Sequence, residues 1–200
     1  MSLPPPSSPD VQSRLVSPGE FSPEERALLL NLSHESILSA LELREISLEP
    51  PTTHLAEARG VFTSLHLQGT LRGCVGFVLP VNSVYRAVVD TARAAAFEDT
   101  RFYPVTLEEA RDLEIELSIL SPPRPVQADD IEVGRHGILI SMAGHRGLLL
   151  PQVAVEHNWD RVTFLQQTCH KAGLPSDAWR SGASIEVFTA EIFGDQHRQG

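Results

Sequence analysis

The stretch LRGCVGF, residues 71–77, combines residue types that can do chemistry within what otherwise reads as a β-strand. Cys74 offers a thiol, which as a thiolate is a nucleophile and a metal ligand, and Arg72 offers a cation that stabilises negative charge. Gly73 and Gly76 indicate a bulge, a bend or the close approach of another group, because glycine inside a strand loses packing and backbone entropy. We therefore predict a site here, with Cys74 and Arg72 as its catalytic residues.

The distance between Arg72 and Cys74 decides how strongly one acts on the other. Alternate residues of a regular strand project to the same face about 7 Å apart. A guanidinium at that distance favours a thiolate by roughly 2 kcal/mol at an effective dielectric of about 20, but by only about 0.6 kcal/mol in water. Activation therefore requires that the pair be buried. Two structural alternatives stay open: the cysteine is a small buried hydrophobe, or Arg72 pairs with an acid such as Asp99.

The register of a predicted hairpin decides whether a base lies near the thiol. The runs VFTSLHL and LRGCVGFV are separated by about three residues around Gly69, which predicts a β-hairpin. A three-residue loop places Ser64 opposite Cys74 and His66 opposite Arg72 on the same face, whereas a two-residue loop turns His66 to the other face. A cysteine–histidine pair requires the first register.

Composition excludes several classes of function. The formal net charge of −10 argues against a nucleic-acid partner, because phosphate-binding proteins carry a positive surface. The two cysteines, Cys74 and Cys169, lie too far apart for a CxxC site, and the histidines show no HExxH spacing, so we predict no metal site and no cofactor. Without a signal-peptide pattern or about 18 consecutive apolar residues, we expect a cytoplasmic protein that does not cross a membrane.

The elements that position the strand are predicted from periodicity and capping signals. A Pro/Ser-rich, disordered tail over residues 1–19 precedes a helix that begins with a capping box at Ser22 and Glu25. Asn82 is predicted to cap the next helix, and LEIELSIL then alternates as a half-exposed strand. The apolar stripe of the first helix is predicted to comprise Leu28, Leu32, Leu38 and Leu41.

The second half of the chain repeats this plan. A hairpin around AGHR precedes a helix that Asp160 caps and Gly173 ends, and SIEVFTAEIF follows as a final strand. We therefore predict an α+β fold, a mainly antiparallel sheet with packed helices, built by internal duplication of a hairpin–helix–strand unit. The domain is predicted to span residues 20–194, with a C-terminal tail over residues 195–200.

LRGCVG resembles the signature hexapeptide of the AMMECR domain family, whose prokaryotic members are called AmmeMemoRadiSam system protein A. Other segments are similar to family segments in the same order over roughly residues 20–193: RGVFTSL, ARAAAFEDTRFYPV, LEIELSIL, LLLPQV, NWD and KAGLP. One departure is FTSLH, where the family more often has FVTL, which replaces an apolar side chain by a hydroxyl. The resemblance implies a compact α+β fold of two subdomains.

The resemblance also extends the predicted site. Asp99 and Arg101 match a D-x-R-F element, and Gln152 matches an LPQV element. Together with Gly73 and Gly76, these residues are predicted to bind the substrate. The alternatives are a charge network at the end of a helix for Asp99 and Arg101, and a loop amide that satisfies nearby backbone groups for Gln152.

Two functions stay open. The first is an enzyme, or a component of one, that acts on an unknown small molecule with Cys74 as nucleophile or ligand. The second is a non-catalytic module that docks onto a Memo-type protein and a radical S-adenosylmethionine enzyme, the two partners that the family name implies. The resemblance implies no particular reaction.

Overall fold

The computed structural model describes residues 19–195, so the predicted tails lie outside the described residues apart from residues 19 and 195. The described chain consists of antiparallel strands with helices between them. The strands are β1 (Gly60–Leu67), β2 (Thr70–Phe77), β3 (Leu113–Leu120), β4 (Arg124–Pro125), β5 (Gly137–Met142), β6 (His145–Leu149), β7 (Ser184–Phe188) and β8 (Ala190–Gly194). The helices are α1 (Pro23–Leu41), α2 (Val84–Phe97), α3 (Leu107–Ala110), α4 (Pro151–Glu156) and α5 (Arg161–Lys171).

The strands form two four-stranded sheets, with the orders β2-β1-β3-β8 and β4-β7-β5-β6. The predicted α+β class with antiparallel pairing is confirmed, but the strands form two sheets and not one. Each sheet contains a hairpin, β1–β2 or β5–β6, whose first strand pairs with the strand that follows the intervening helices. The hairpin–helix–strand order is therefore present in both sheets, and its origin in a duplication stays a prediction.

The two sheets exchange strands. The predicted final strand divides at Thr189, because β7 pairs with β5 in the second sheet and β8 continues into the first sheet beside β3. Conversely, β4 follows β3 in the chain and pairs with β7. The two crossing segments are tied together, since the amide of Ser121 donates to the Thr189 carbonyl at 2.9 Å and the Thr189 amide donates to Ser121 Oγ at 3.0 Å.

Each sheet has its own hydrophobic core, which accounts for the two subdomains. The first core lies between β1, β3, α1 and α2, and the second lies around β5, β7 and α5. Cys169 is fully buried in the second core. Among the helices described here, none combines the length and apolar character needed to cross a membrane.

Helix α1 begins at the predicted capping box, with Pro23 at its first turn, but its buried face differs from the predicted stripe. Three of the predicted leucines are only partly buried, and serines take their place against α2, where Arg93 donates to the Ser36 carbonyl at 3.1 Å. Small side chains allow the two helices to approach closely, which a search for apolar residues does not detect. The residues buried on α1 are Leu29, Leu32, Ser33, Ser36, Ile37 and Ser39.

Helix α2 lies directly on the hairpin that carries the candidate site. Its N-cap is Ser83, whose Oγ accepts from the Arg86 amide at 3.2 Å, while the predicted cap, Asn82, hydrogen-bonds Asp90 instead. The buried side of α2 consists mainly of alanine and valine, so its backbone comes close to β1 and β2. A buried hydroxyl pair, Thr63 and Thr91, joins β1 to α2 at 2.7 Å.

Close approach explains both glycines of the LRGCVG stretch. A Cβ at Gly73 would lie 2.2 Å from the carbonyl oxygen of Ala95 in α2, and a Cβ at Gly76 would lie 2.2 Å from the ring of Phe62 on β1. Interiors packed at this density cannot accept another carbon atom at these positions without a shift of the neighbours. Gly73 thus allows α2 to lie on the sheet, and Gly76 makes room for an aromatic ring beside Cys74.

We expect Gly73→Ala to lower the free energy of unfolding by about 1–3 kcal/mol, because the added methyl group meets the backbone of α2 and not a side chain that can rotate away. Urea unfolding monitored by circular dichroism measures the change. Thr70→Ala, at an exposed position of the same strand, is the control and should stay within about 0.5 kcal/mol of the parent protein. A Gly73→Ala protein as stable as this control would contradict the packing argument.

Candidate functional site

A β-bulge at Arg72 sets the geometry of the candidate site. His66 of β1 pairs with Leu71, and Leu65 pairs with Gly73, so Arg72 is left out of the pairing. The bulge interrupts the alternation of side chains along β2. The expectation that Arg72 and the cysteine two positions later project together as in a regular strand is therefore wrong.

The bulge also corrects the register that the hairpin turn alone would impose. The turn has two residues, Gln68 and Gly69, with φ of 52° and 74°, and not the predicted three. The extra residue of the bulge restores the pairing of Ser64 with Cys74, so this prediction is confirmed. His66 lies opposite Leu71 and not opposite the arginine, so that part of the prediction is wrong.

Cys74 lies on the outer face of the first sheet. Its partner Ser64 alternates with the buried Leu65, and on the far side Ser64 pairs with Glu116 of β3, which is exposed. Cys74 itself is half-buried, and Ser64 Oγ donates to its Sγ at 3.3 Å. The thiol therefore faces away from the hydrophobic core and has a hydroxyl, not a base, as its hydrogen-bond donor.

The Cys74 backbone is covered by an ion pair. β2 is an edge strand, and at Cys74 its N–H donates to Asp99 Oδ2 at 2.9 Å while its carbonyl accepts from Arg101 Nη2 at 3.3 Å. The same Asp99 and Arg101 side chains pair with each other at 2.7 Å. They occupy the place where the backbone of a neighbouring strand would otherwise pair with Cys74. We refer to residues 98–106, which join α2 to α3 and carry this pair, as the strap.

The ion pair with Arg101 keeps Asp99 ionised, and it brings a cation close to Cys74. The Arg101 guanidinium, followed by the Cys74 amide, holds the pKa of the Asp99 carboxyl well below its usual range. The hydrogen bonds to Asp99 raise the pKa of Arg101, whose guanidinium also donates to the Cys74 carbonyl. The cation beside Cys74 is therefore Arg101.

Arg72 directs its guanidinium elsewhere. Its Nε and Nη2 donate to the two carboxylate oxygens of Glu109 at 3.1 and 3.0 Å, and its Nη1 and Nη2 donate to the carbonyls of Tyr103 and Pro104 at 2.8 and 3.4 Å. The alternative in which Arg72 pairs with an acid is confirmed, but the acid is Glu109 and not Asp99. The Arg72 guanidinium lowers the pKa of Glu109, and the backbone amide of Thr106 contributes further.

Gln152 lies in the other subdomain. It follows Pro151 in the first turn of α4, which packs on β5. Within residues 19–195 no hydrogen bond joins Gln152 to the residues around Cys74. Its role in substrate binding stays a prediction, whereas Asp99 and Arg101 are brought together with Cys74.

A second group of ligand-type side chains lies near the start of α1. The ligand atoms of Glu20, His54 and Glu57 lie within 4.8 Å of one another. Arg59, only 7% exposed, donates to both Glu20 and Glu57, so a guanidinium already provides the cation. The hydrogen bond to Glu25 raises the pKa of His54. This group is an ion-pair network that fastens the start of α1.

The sequence analysis missed two residues of the site. Ser64 was placed opposite the thiol but was not assigned a role, and Glu109, the partner of Arg72, was not singled out. A local signal for Glu109 was present, because T-L-E-E fits the capping-box pattern: Thr106 Oγ1 accepts from the Glu109 amide at 3.3 Å, and Glu109 Oε2 accepts from the Thr106 amide at 2.9 Å. No local signal connects Glu109 to Arg72.

We expect Asp99→Asn to destabilise the protein at pH 7 and to do so less near pH 3. The Asp99 carboxyl has a lower pKa in the folded than in the unfolded chain, so its stabilisation is present above about pH 4 and is lost as the pH falls further. Urea unfolding of both proteins at the two pH values measures the difference. An equal loss at pH 7 and pH 3 would contradict the assignment of a charged contact.

Comparisons with known proteins agree on one family. The AMMECR1 family model matches residues 30–193. Protein MK0488 of Methanopyrus kandleri is 41% identical over 189 residues, covering 88% of this chain and 91% of that protein. Protein PF1979 of Pyrococcus furiosus is 41% identical over 188 residues, covering 86% and 89%. The crystal structure of Uncharacterized Protein PH0010 from Pyrococcus horikoshii superposes with a TM-score of 0.75 at 36% identity, covering 91% of this chain and 97% of that one. The predicted resemblance is confirmed, and the chain belongs to the AMMECR1 family.

Proposed function

We propose that this AMMECR1-family chain is an enzyme, or a component of one, in which Cys74 acts as nucleophile or ligand toward a small molecule. The observation that carries the proposal is the position of the sulfur. It is half-buried on the outer face of the first sheet and accepts a hydrogen bond from Ser64 at 3.3 Å. A sulfur that faces away from the core and accepts a hydrogen bond has access to a reaction partner.

A hydrogen-bond donor and a cation lie close to Cys74. The Ser64 hydroxyl donates to the sulfur, and the Arg101 guanidinium reaches the carbonyl of the same residue. The other cysteine gives the opposite case within one chain, because Cys169 is fully buried and burial raises the pKa of its thiol. This contrast supports a reactive role for Cys74 and a packing role for Cys169.

As a nucleophile, the Cys74 thiol would lose its proton, and its sulfur would form a bond to an electrophilic atom of the substrate while a leaving group departs from that atom with its electron pair, or the electrons of a double bond there shift to the neighbouring atom. Its proton would pass to water or to a basic group of the substrate or a partner, because the hydrogen-bonded neighbour is a hydroxyl. We propose that Arg101, whose side chain is 57% exposed, binds an anionic group of the substrate. Asp99 and Gly76 then shape the binding surface, while Gly73 faces α2 on the other side of the sheet and Arg72 lies outside the reacting atoms.

A second candidate function is favoured by exposed apolar residues on and beside β2. Phe77 is 49% exposed, Val81 is 77% exposed, and Tyr103 of the strap is 89% exposed. Exposed apolar side chains of this size support contact with another protein. We propose as the alternative that this edge docks the Memo-type protein or the radical S-adenosylmethionine enzyme that the family name implies.

We expect iodoacetamide to alkylate Cys74 in the native protein at least ~10-fold faster than Cys169, because only Cys74 is reachable. Peptide mass spectrometry over a time course measures both rates. Ser64→Ala should slow the reaction at Cys74 by about two- to tenfold through loss of one hydrogen bond. Ser118→Ala, on the same face of the sheet, is the matched control and should leave the rate unchanged. Equal labelling of both cysteines, or protection of Cys74, would contradict a reactive thiol.

The two functions are separated by paired variants in a binding assay. If Cys74 carries chemistry, Cys74→Ala should keep its affinity for the Memo-type protein in isothermal titration calorimetry and should abolish formation of the covalent or coordinated adduct. If the edge is a docking site, Phe77→Ser with Val81→Ser should weaken binding at least ~10-fold while Cys74 is still alkylated at its normal rate. Binding and pathway output that both survive Cys74→Ala would exclude the chemical role.

A further inference from the structure

We infer that Arg72 is a positioning residue, which acts on the thiol through the strap and not directly. The inference rests on the proposed function for its chemical meaning, because it concerns the charge that surrounds the proposed nucleophile. The part of the inference that concerns structure depends only on hydrogen bonds between β2 and the strap. The strap is fastened to that strand at two places, Cys74 and Arg72.

The first fastening lies at Cys74. Asp99 accepts from the Cys74 amide at 2.9 Å, and Arg101 donates to the Cys74 carbonyl at 3.3 Å. The strap turns sharply here, since the Phe102 amide donates to the Asp99 carbonyl at 3.0 Å. This fastening places the Arg101 cation beside the thiol.

The second fastening lies at Arg72. Its guanidinium donates to the carbonyls of Tyr103 and Pro104, at 2.8 and 3.4 Å. A guanidinium presents several donors in one plane, so it can hold two consecutive carbonyls and a carboxylate at once, which an ammonium group cannot do. Arg72 thus holds the strap immediately after Arg101.

Glu109 makes the second fastening rigid. It binds Arg72 through both carboxylate oxygens and also accepts from the Thr106 amide, where the strap ends and α3 begins. The side chain of Arg72 is only 15% exposed and that of Glu109 28%, so water screens this pair less than a pair on the open surface. One ion pair therefore fixes the end of the strap, the first turn of α3 and the bulge of β2 together.

Removal of Arg72 should release the strap from its second fastening and move Arg101 away from the thiol. A direct electrostatic action of Arg72 would lower thiol reactivity independently of Arg101. An action through the strap would disappear once Arg101 is gone. A double-mutant cycle separates the two mechanisms.

The test compares two alkylating agents that differ in charge, iodoacetate and iodoacetamide, at Cys74 of the full chain at low ionic strength. The ratio of the two rates reports the local charge and cancels changes in thiol exposure. We expect Arg101→Met to lower this ratio by about two- to threefold, as loss of a partly screened cation implies. Arg72→Met should lower it by a similar factor, and the double variant should lower it no further. Reductions that multiply in the double variant would overturn the inference in favour of direct action.

Amide exchange at Cys74 tests the strap without any reference to thiol chemistry. Its N–H is bonded to Asp99, so exchange should be at least ~10-fold faster in Arg72→Met, while exchange of the Val75 N–H, which points into the hairpin, should not change. Unchanged protection at Cys74 would overturn the inference. Slow or unselective alkylation of Cys74 with fast exchange in the variant would instead contradict the proposed function alone.

Two further variants keep the test valid if Arg72→Met folds poorly. Glu109→Gln retains the size of the side chain and its capping oxygen but removes the charge, and it should reproduce the change in rate ratio in part. Arg86→Met removes an exposed arginine that pairs with Asp90 on α2, away from the strap, and should leave both the rate ratio and the exchange at Cys74 unchanged. A change in the Arg86 control as large as that of Glu109→Gln would overturn the assignment.

Discussion

β2 has no neighbouring strand on its outer side, so its outward backbone groups need hydrogen-bond partners of another kind. Asp99 and Arg101 meet this need at Cys74, and because they are an ion pair they also bring charge of both signs to the same residue. The edge is therefore closed to strand addition at Cys74, while the sulfur of the same residue lies on the outer face of the sheet. The same contact therefore protects the sheet edge and sets the charge around the candidate site. Every element from the bulge to α3 contributes to holding this contact in place.

The composition of the site was largely predictable, but its internal connections were not. Cys74 stands out from the sequence of its own strand, Asp99 and Arg101 are added by the family resemblance, and the structure brings the three residues together. The assignment of the cation failed, because alternation along a strand predicts that Arg72 faces the thiol and a bulge removes that alternation. A bulge is fixed by the competition between a two-residue turn and the pairing of the whole hairpin. The ion pair of Arg72 with Glu109 depends in addition on the path of the strap, which no local pattern encodes.

The fold shows the same division between local and non-local signals. The capping box of α1, the alternation of β3 and the cap of α5 at Asp160 are local, and each is present where predicted. The buried face of α1 was wrong because serines lie against α2, a preference set by the distance between two helices. The final strand was predicted as one element because its alternation continues through Thr189, where the chain leaves one sheet for the other. Periodicity records which face of a strand is buried but not which sheet buries it.

The exchange of strands between the two sheets has a consequence for biosynthesis. The sheet that carries Cys74 lacks its fourth strand until β8, residues 190–194, has been made, although its other three strands are complete by residue 120. During translation the outer edge of β3 therefore stays unpaired until a segment that follows the whole second sheet in the chain has been synthesised. Strand edges exposed in this way are prone to wrong pairings, and contacts of such long sequence separation form slowly. The two subdomains are separate in their cores but are obliged to mature as one unit.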